Sequence, residues 1–596
     1  MRVGRISKVA ALAVAAVLAL GACTGQPPEP NGSTAAATAS PGGNVTVVEE
    51  SPFTSFNPDS VTGTAATNAR INYATHSGFN YVDDNLKLVR NTQFGKYEKI
   101  SDRPLTVKYT INSGVQWSDG EPVTAADLLL QWAAASGYYN DATLDKNFKV
   151  TKGTAYFNFA GDTTGLSQTS LPQIGDNGTS LTLTYNKPFS DWETALGSVV
   201  SIPAHIVAVR SGLKDADALS ALLLGLPKGD AGAPATPNPT LRKVADFWNT
   251  GFDSKSMPDP TLALSNGPYL VKSIVPGKEL VLTPNTDYVW GSKPDLDTIT
   301  VHYNSNAQAQ ISALRANTAD VVSPAATADN VAELTAPGTV DVKVDQGRSL
   351  GFDQAVLNFK GVLAKPDYRT AFMKTVPRQD IVDTTSRAVD PTADVLNSFV
   401  FLQAQPTYKE SSASNGSIGF ADVDIDGAKA LLAGAKPTVR ILYNSDDPLR
   451  VIEYSLIKVS AEQAGFTVVD AGKDAGKWQA ALHDGAFDVA LYGWTSNATG
   501  SVQVPQVFKT GAISNLNNFS NTVVDQLAEQ LAATSDDAKQ NALKLQIDKL
   551  VWEAGYGVPL FQRPAMVATG PHVTGARYSP VGVGVWWNVW DWKFQK

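Results

Sequence analysis

One cysteine constrains this chain more than any other residue. Among 596 residues the only thiol is Cys23, so no disulfide can staple the fold within the chain and an apolar core must hold it. The position of that cysteine is as telling as its number. Arg2, Arg5 and Lys8 lead into an apolar run at residues 9–20 (VAALAVAAVLAL), followed by Gly21, Ala22 and Cys23. A basic start, a short apolar stretch and small residues form a secretory signal. Its 12 residues fall short of a membrane-spanning helix, which needs roughly 20.

Leu20-Gly21-Ala22-Cys23 resembles the bacterial lipobox, in which the cysteine thiol receives diacylglycerol and cleavage precedes it. On that reading residues 1–22 leave, Cys23 is lipidated, and the net charge moves from −9 to −12 with the loss of three basic residues. Residues 23–44 (CTGQPPEPNGSTAAATASPGGN) cannot bury a core and read as a flexible tether. The expected location is therefore the outer face of the cell membrane, by lipid anchor. An acidic chain repels phosphates, so no nucleic-acid partner is expected. With 43% hydrophobic residues, 22 Phe, 18 Tyr and 12 Trp, the remainder has ample apolar surface for folded domains.

Strand and helix signals alternate along the rest. Leu105, Val107, Tyr109 and Ile111 are apolar at period two, as are Leu181, Leu183 and Tyr185, and Ile299, Val301 and Tyr303. Thr124 and Asp127 approximate a capping box before Leu128, Leu129 and Trp132. Ile452, Leu456 and Val459 follow helical spacing, as do Leu543, Ile547, Leu550 and Val551 after the acidic cap at 535–537. A mixed α/β protein follows. Residues 228–240 and the Ser-rich stretch 405–419 read as loose.

The residues offer no catalytic constellation. His76, His205, His302, His483 and His572 are scattered, and no Gly-x-Ser-x-Gly elbow occurs. Residues 472–477 (GKDAGK) have three residues between the glycines where a phosphate loop has four. Asp83-Asp84, Asp446-Asp447 and Asp536-Asp537 read as solvated turns and helix caps. No catalytic residue, cofactor or metal is expected. A secreted hydrolase would need a general acid and base facing one cleft, and none is locatable.

Several stretches, in order, resemble the family 5 extracellular solute-binding proteins, the dipeptide- and oligopeptide-binding components of ABC importers. Residues 115–128 (VQWSDGEPVTAADL) resemble W-S-D-G-x-P-V-T-A-x-D, and Asn266-Gly267-Pro268-Tyr269 resembles the family's G-P-Y turn. Residues 284–299 (PNTDYVWGSKPDLDTI) carry one residue more between Tyr288 and Trp290 than N-x-x-Y-W-x-x-x-P-x-L-D-x-I. Residues 313–321 have Asn317 in a glycine's place, and residues 367–381 are a shortened arginine motif. Residues 485–494 (GAFDVALYGW) and 518–527 (NFSNTVVDQL) match G-x-F-D-x-x-x-x-G-W and N-x-x-N-x-x-x-D-x-L, and Val558-Pro559-Leu560 closes the series. The Trp-rich end (Trp586, Trp587, Trp590, Trp592) resembles actinobacterial members.

The resemblance implies a periplasmic-binding-protein-like fold with an extra third domain and two main lobes joined by a hinge. Domain I would comprise 45–80, 201–345 and 557–596, domain II 81–200, and domain III 346–556. The expected partners are an oligopeptide or other small solute between domains I and III, ABC permease and ATPase subunits, and the membrane through Cys23. Gly493-Trp494-Thr495-Ser496-Asn497 is the stretch that would meet ligand, with Trp494 a platform or a core residue. The family's aspartate, which pairs with a peptide α-ammonium, is replaced here by Asn497. Either another acid supplies the charge, or the ligand has no free amine there, as in an oligosaccharide or envelope glycolipid. Thr62, Gly63 and Thr64 occupy the family's first ligand-contacting segment, and Tyr138 or Tyr139 and Phe561 would reach the ligand or else pack in a core. Trp117 and Asp119 read as structural, a core anchor and a turn.

Overall fold

Period-two segments became strands and period-3.6 segments helices, and ten of the strands joined one sheet. The computed structural model describes residues 39–40 and 42–596, apart from 146–148, 162, 198, 338–340, 497–500 and 513. The signal, Cys23 and most of the tether lie outside the described residues, as does Asn497. Among the described residues no helix is long and apolar enough to cross a membrane.

A ten-stranded mixed sheet runs, in spatial order, Tyr269–Val275, Glu279–Pro284, Thr298–Tyr303, Asn44–Glu49, Val321–Val322, Gly557–Thr569, Lys343–Leu357, Val489–Thr495, Thr438–Leu442 and Thr467–Asp470. A separate four-stranded antiparallel sheet joins Gly95–Asp102, Leu105–Ile111, Ser180–Thr184 and Gln173–Gly175. The alternation read at 105–111 is visible as strict burial of every second side chain. Thr124 and Asp127 close a true capping box on the helix Ala125–Ser136, whose Leu128, Leu129 and Trp132 are buried.

Two large cores lie along the sheet. One is built chiefly from residues 45–301 and the chain's return at 567–592, the other from residues 355–561. Lys343–Leu357 and Gly557–Thr569 pair antiparallel and pass from one core to the other. Their ladder is regular at 343–348 against 564–569, slips between Arg348 and Phe352, and resumes against Gln562. A bulge unpairs the ladder locally and increases twist, so the two crossing strands are weakest as a unit between the cores.

The stretch 405–419 is more ordered than its composition suggested. It holds a helix, Tyr408–Ser414, because Asp548 is buried beneath it and accepts hydrogen bonds from Ser411 Oγ (2.5 Å), Asn415 Nδ2 (2.8 Å) and the Phe399 amide (2.9 Å). Short polar side chains that read as loop formers are here the partners of one interior carboxyl.

Candidate functional site

The strand Val489–Thr495 positions the proposed ligand stretch. On one edge it pairs with Lys343–Leu357 along its whole length, with Trp494 opposite Phe352, Gly493 opposite Asp353 and Thr495 opposite Gly351. On the other edge it meets Thr438–Leu442 only at Val489 and Ala490. Residues 491–495 therefore have one edge with no neighbouring strand among the described residues, where backbone groups remain available for pairing. Gln503 Nε2 reaches in to donate to the Thr495 carbonyl at 2.8 Å.

Strand alternation sends neighbouring residues to opposite faces. Trp494 lies on one face with Tyr492, which meets it edge-on at 5.6 Å between ring centroids. It is half-buried and lines a small apolar cavity with Phe352, Phe399, Val504, Val507 and Phe508. Its indole nitrogen is buried with no acceptor among the described residues. Leu86 joins the same cluster of Leu350, Phe352, Leu396 and Leu402 from the hairpin Asn80–Val82/Leu88–Arg90. That contact brings the first core's periphery onto the second, and no period or motif in the sequence announces it.

Gly493 lies on the other face, over a buried ionic cluster. Asp353 is fully buried. Its Oδ2 pairs with Arg563 Nη2 at 2.6 Å and its Oδ1 with Arg450 Nη2 at 3.3 Å. Arg563 also pairs with Asp447 Oδ2 at 2.7 Å, and Arg450 stacks on Trp478 at 5.2 Å. Burial pushes the Asp353 carboxyl up, but the Arg563 and Arg450 guanidiniums outweigh it and hold the group below its ordinary range. Glu453, fully buried one helical turn beyond Arg450, is driven well above its ordinary range by burial and by Asp353. Glycine at 493 follows from this crowding, since a Cβ there would strike the Phe352 carbonyl and the Asp353 carboxylate.

None of Asp353, Arg450, Glu453 and Arg563 was legible as a site residue. They come from two strands and a helix far apart in sequence, and only Asp447 had been noticed, as a cap. It does cap the helix Pro448–Ala464, accepting from the Leu449 amide, while also holding Arg563.

Thr62, Gly63 and Thr64 form a tight turn on the first core. Thr62 and Thr64 are exposed, and Gly63 is buried, its carbonyl held by Asn68 Nδ2. Tyr138 is half-buried against Trp132 at 5.1 Å. Two of the candidates sit in cores. The Tyr139 hydroxyl donates to the Leu223 carbonyl at 2.7 Å, with the ring buried in the first core. Phe561 is 0% exposed in the second core, because its strand is covered on both faces there. Trp117 and Asp119 are structural as expected. Trp117 is fully buried, and Asp119 caps a turn by accepting from the Glu121 amide.

The two halves also touch away from the crossing strands. The Asp191 carboxylate accepts from the backbone amides of Ser501 at 3.0 Å and Val502 at 3.1 Å, and Lys99 Nζ donates to Ser535 Oγ at 3.2 Å. A cavity of about 870 Å³ lies beside that contact, and one of about 400 Å³, lined in part by Leu86, Arg348, Gln403 and Gln562, lies at the crossing. The two cores thus meet through the crossing strands and through these side contacts, with the two cavities beside them.

The family model of bacterial extracellular solute-binding proteins, family 5, matches residues 92–515, well over half the chain. The chain belongs to this family. Family 5 proteins bind small solutes and work with ABC transporter permeases. This solute-binding protein is 26% identical over 594 residues to an uncharacterized lipoprotein of Mycobacterium leprae, covering 97% of this chain and 96% of that one. It is 24% identical over 502 residues to the oligopeptide-binding protein OppA of Mycobacterium tuberculosis, covering 81% of this chain and 74% of OppA. The solved structure of the periplasmic EDTA-binding protein EppA superposes with a TM-score of 0.76 at 21% identity, over 94% of this chain and 98% of that one. At that identity the superposition carries the fold, mixed α/β of the periplasmic-binding-protein type.

Proposed function

We propose that the protein is the lipid-anchored, extracytoplasmic receptor of an ABC importer and that it carries oligopeptides. The observation that supports this reading is the open edge of Val489–Thr495 beyond Ala490. An extended peptide can add itself to such an edge, its backbone supplying affinity while side chains sit in hydrated space. Gly493, Trp494, Thr495 and Asn497 would contact it from the second body, Thr62, Gly63 and Thr64 from the first, and Tyr138 from domain II. The crossing strands, bulged between Arg348 and Phe352, are the proposed hinge. The relative named OppA and the relatives named lipoproteins fit this reading.

A second reading, a solute without a free amine, has its own observation. The carboxylate nearest Gly493 is Asp353, already bound by two arginines, and burial and Asp353 disfavour ionisation of Glu453 beside it. Neither offers a free charge to an ammonium. An oligosaccharide or envelope glycolipid is the alternative ligand.

Native mass spectrometry of protein purified from its own envelope separates the two. Bound masses resolving into peptides support the first reading. A homogeneous saccharide or lipid mass overturns it in favour of the second.

A further inference from the structure

A cavity of about 260 Å³ lies wholly within the first body, away from Gly493 and Trp494. It opens between the hairpin Asn80–Val82/Leu88–Arg90, the end of the helix Ala66–Thr75, the loop after Glu279–Pro284 and the C-terminal turn Gly584–Asp591. Its walls are aromatic. Trp590 packs against Tyr73 at 5.9 Å and 30° and against Tyr81 at 5.4 Å and 74°. Tyr288 closes another side, with its hydroxyl 3.0 Å from Ser77 Oγ. Glycine at 291 makes this possible, since a Cβ there would run into the Tyr288 hydroxyl.

The polar inventory is rich but almost uncharged. Ser77 and Asn80 are buried at the cavity, and Asn91, Thr92, Gln93 and Ser292 line its rim. The Tyr81 hydroxyl and the Thr92, Gln93 and Ser292 side chains have no hydrogen-bond partner among the described residues. No carboxylate lines the cavity. The one charged lining residue, Arg90, is already paired with Glu193 and stacked on Tyr97 at 4.6 Å. His76 is kept neutral by burial, its pKa lowered to about 4.

Three ligand classes fail against that lining. A cation finds no carboxylate among the lining residues. An anion finds only a guanidinium that has its partner. A purely apolar molecule leaves unpaired hydroxyls and amides at its surface. A neutral polyol ring matches both halves of the lining, with C–H faces against Trp590 and Tyr73 and hydroxyls toward Tyr81, Asn91, Gln93 and Ser292. Pockets for drug-sized ligands start at about 300 Å³, so this one suits a single sugar ring. The geometry points to a second binding site on this protein, for one neutral monosaccharide unit, separate from the cleft between the two bodies. The unit comes either free or as the end of an envelope polysaccharide.

The test is a calorimetric titration of the full soluble chain with glucose, galactose, mannose and N-acetylglucosamine. Sedimentation with insoluble, mycobacterial-type cell-wall polysaccharide runs in parallel. At least one sugar or the polysaccharide should bind. Trp590→Ala should weaken binding about tenfold or more, because aromatic anchors carry a disproportionate share of affinity. Ser292→Trp, a change at an exposed rim position that spares the core, should block the cavity to the same degree. Trp494→Ala should leave sugar binding unchanged. Binding of free sugar assigns a soluble ligand, and binding of the polysaccharide alone assigns a wall contact. Sugar binding lost in Trp494→Ala and kept in Ser292→Trp would place the saccharide in the cleft and overturn this proposal while supporting the second reading above. No binding by any probe overturns it as well, and leaves the peptide reading untouched.

Discussion

Trp494 and Gly493 are neighbours in one motif, yet the faces they serve are held by different physics. Trp494 sits among Phe352, Phe399, Val504, Val507 and Phe508, where dispersion and water exclusion do the holding. Gly493 sits over Asp353, Arg450 and Arg563, where buried charges hold one another. An apolar face fails in proportion to the volume removed and is indifferent to pH. An ionic face fails abruptly when one partner goes, because the others stay buried with their charge. One face thus anchors the strand among apolar side chains while the other fixes its backbone over the ionic cluster.

The sharpest way to break the comparison is Asp353→Ala. Two guanidiniums would lose their shared counterion, and unfolding in urea should show a loss of about 3–5 kcal/mol, the range for breaking a buried pair. A loss under 1 kcal/mol would show that Asp447 alone satisfies Arg563 and that the cluster is not a unit.

Trp494→Ala should cost less, about 2 kcal/mol, because the ring is only half-buried and a fully buried Trp→Ala change costs roughly 3–5. The same variant should lose ligand binding in calorimetry while unfolding stays cooperative. Binding retained at wild-type strength would leave Trp494 a core residue only.

Titration separates the faces more gently. Glu453 is raised by burial and by Asp353, so its contribution is fully present below the unfolded value near 4.5 and is lost as pH rises through the folded value. Asp353 is held low by its arginines, so its contribution is present above the unfolded value near 3.8 and is lost as pH falls through the folded one. Glu453→Gln should therefore flatten the fall in stability that sets in above about pH 4.5 and leave in place the fall below about pH 3.8. An unchanged slope above that value would mean that folding does not raise the Glu453 carboxyl.

The smallest expected effect concerns Asn497. Acetylating a bound peptide's N-terminus should cost on the order of 1 kcal/mol in the wild type, the scale of a neutral hydrogen bond. In Asn497→Asp the penalty should grow to several kcal/mol as a carboxylate loses its ammonium. Paired titrations of free and acetylated peptide measure both. A large penalty in the wild type would reveal an uncommitted acid in the cleft.

Much of this was readable before any coordinates. Period-two burial at 105–111, the capping box at Thr124 and Asp127, the helix opening at Asp536 and the core role of Trp117 are local matters, settled by φ/ψ preference, side-chain spacing and hydrogen bonds within a few residues. The ordered motifs carried the family for the same reason, since each is a short segment read in place. What lay beyond reach is non-local. Asp353, Arg450, Glu453 and Arg563 meet only because a helix packs beside two crossing strands, and Leu86 reaches Trp494's cluster only because a distant hairpin folds onto it. Tyr139 and Phe561 stayed open between core and cleft because aromatic residues serve both, and only the packing around them shows that they are buried. Composition and local pattern determined the elements, their order and the family of this chain. The partners of each buried charge, the open strand edge and the neutral aromatic cavity were decided by tertiary structure, because close contacts between segments far apart in sequence depend on how whole elements pack, and no local spacing encodes them.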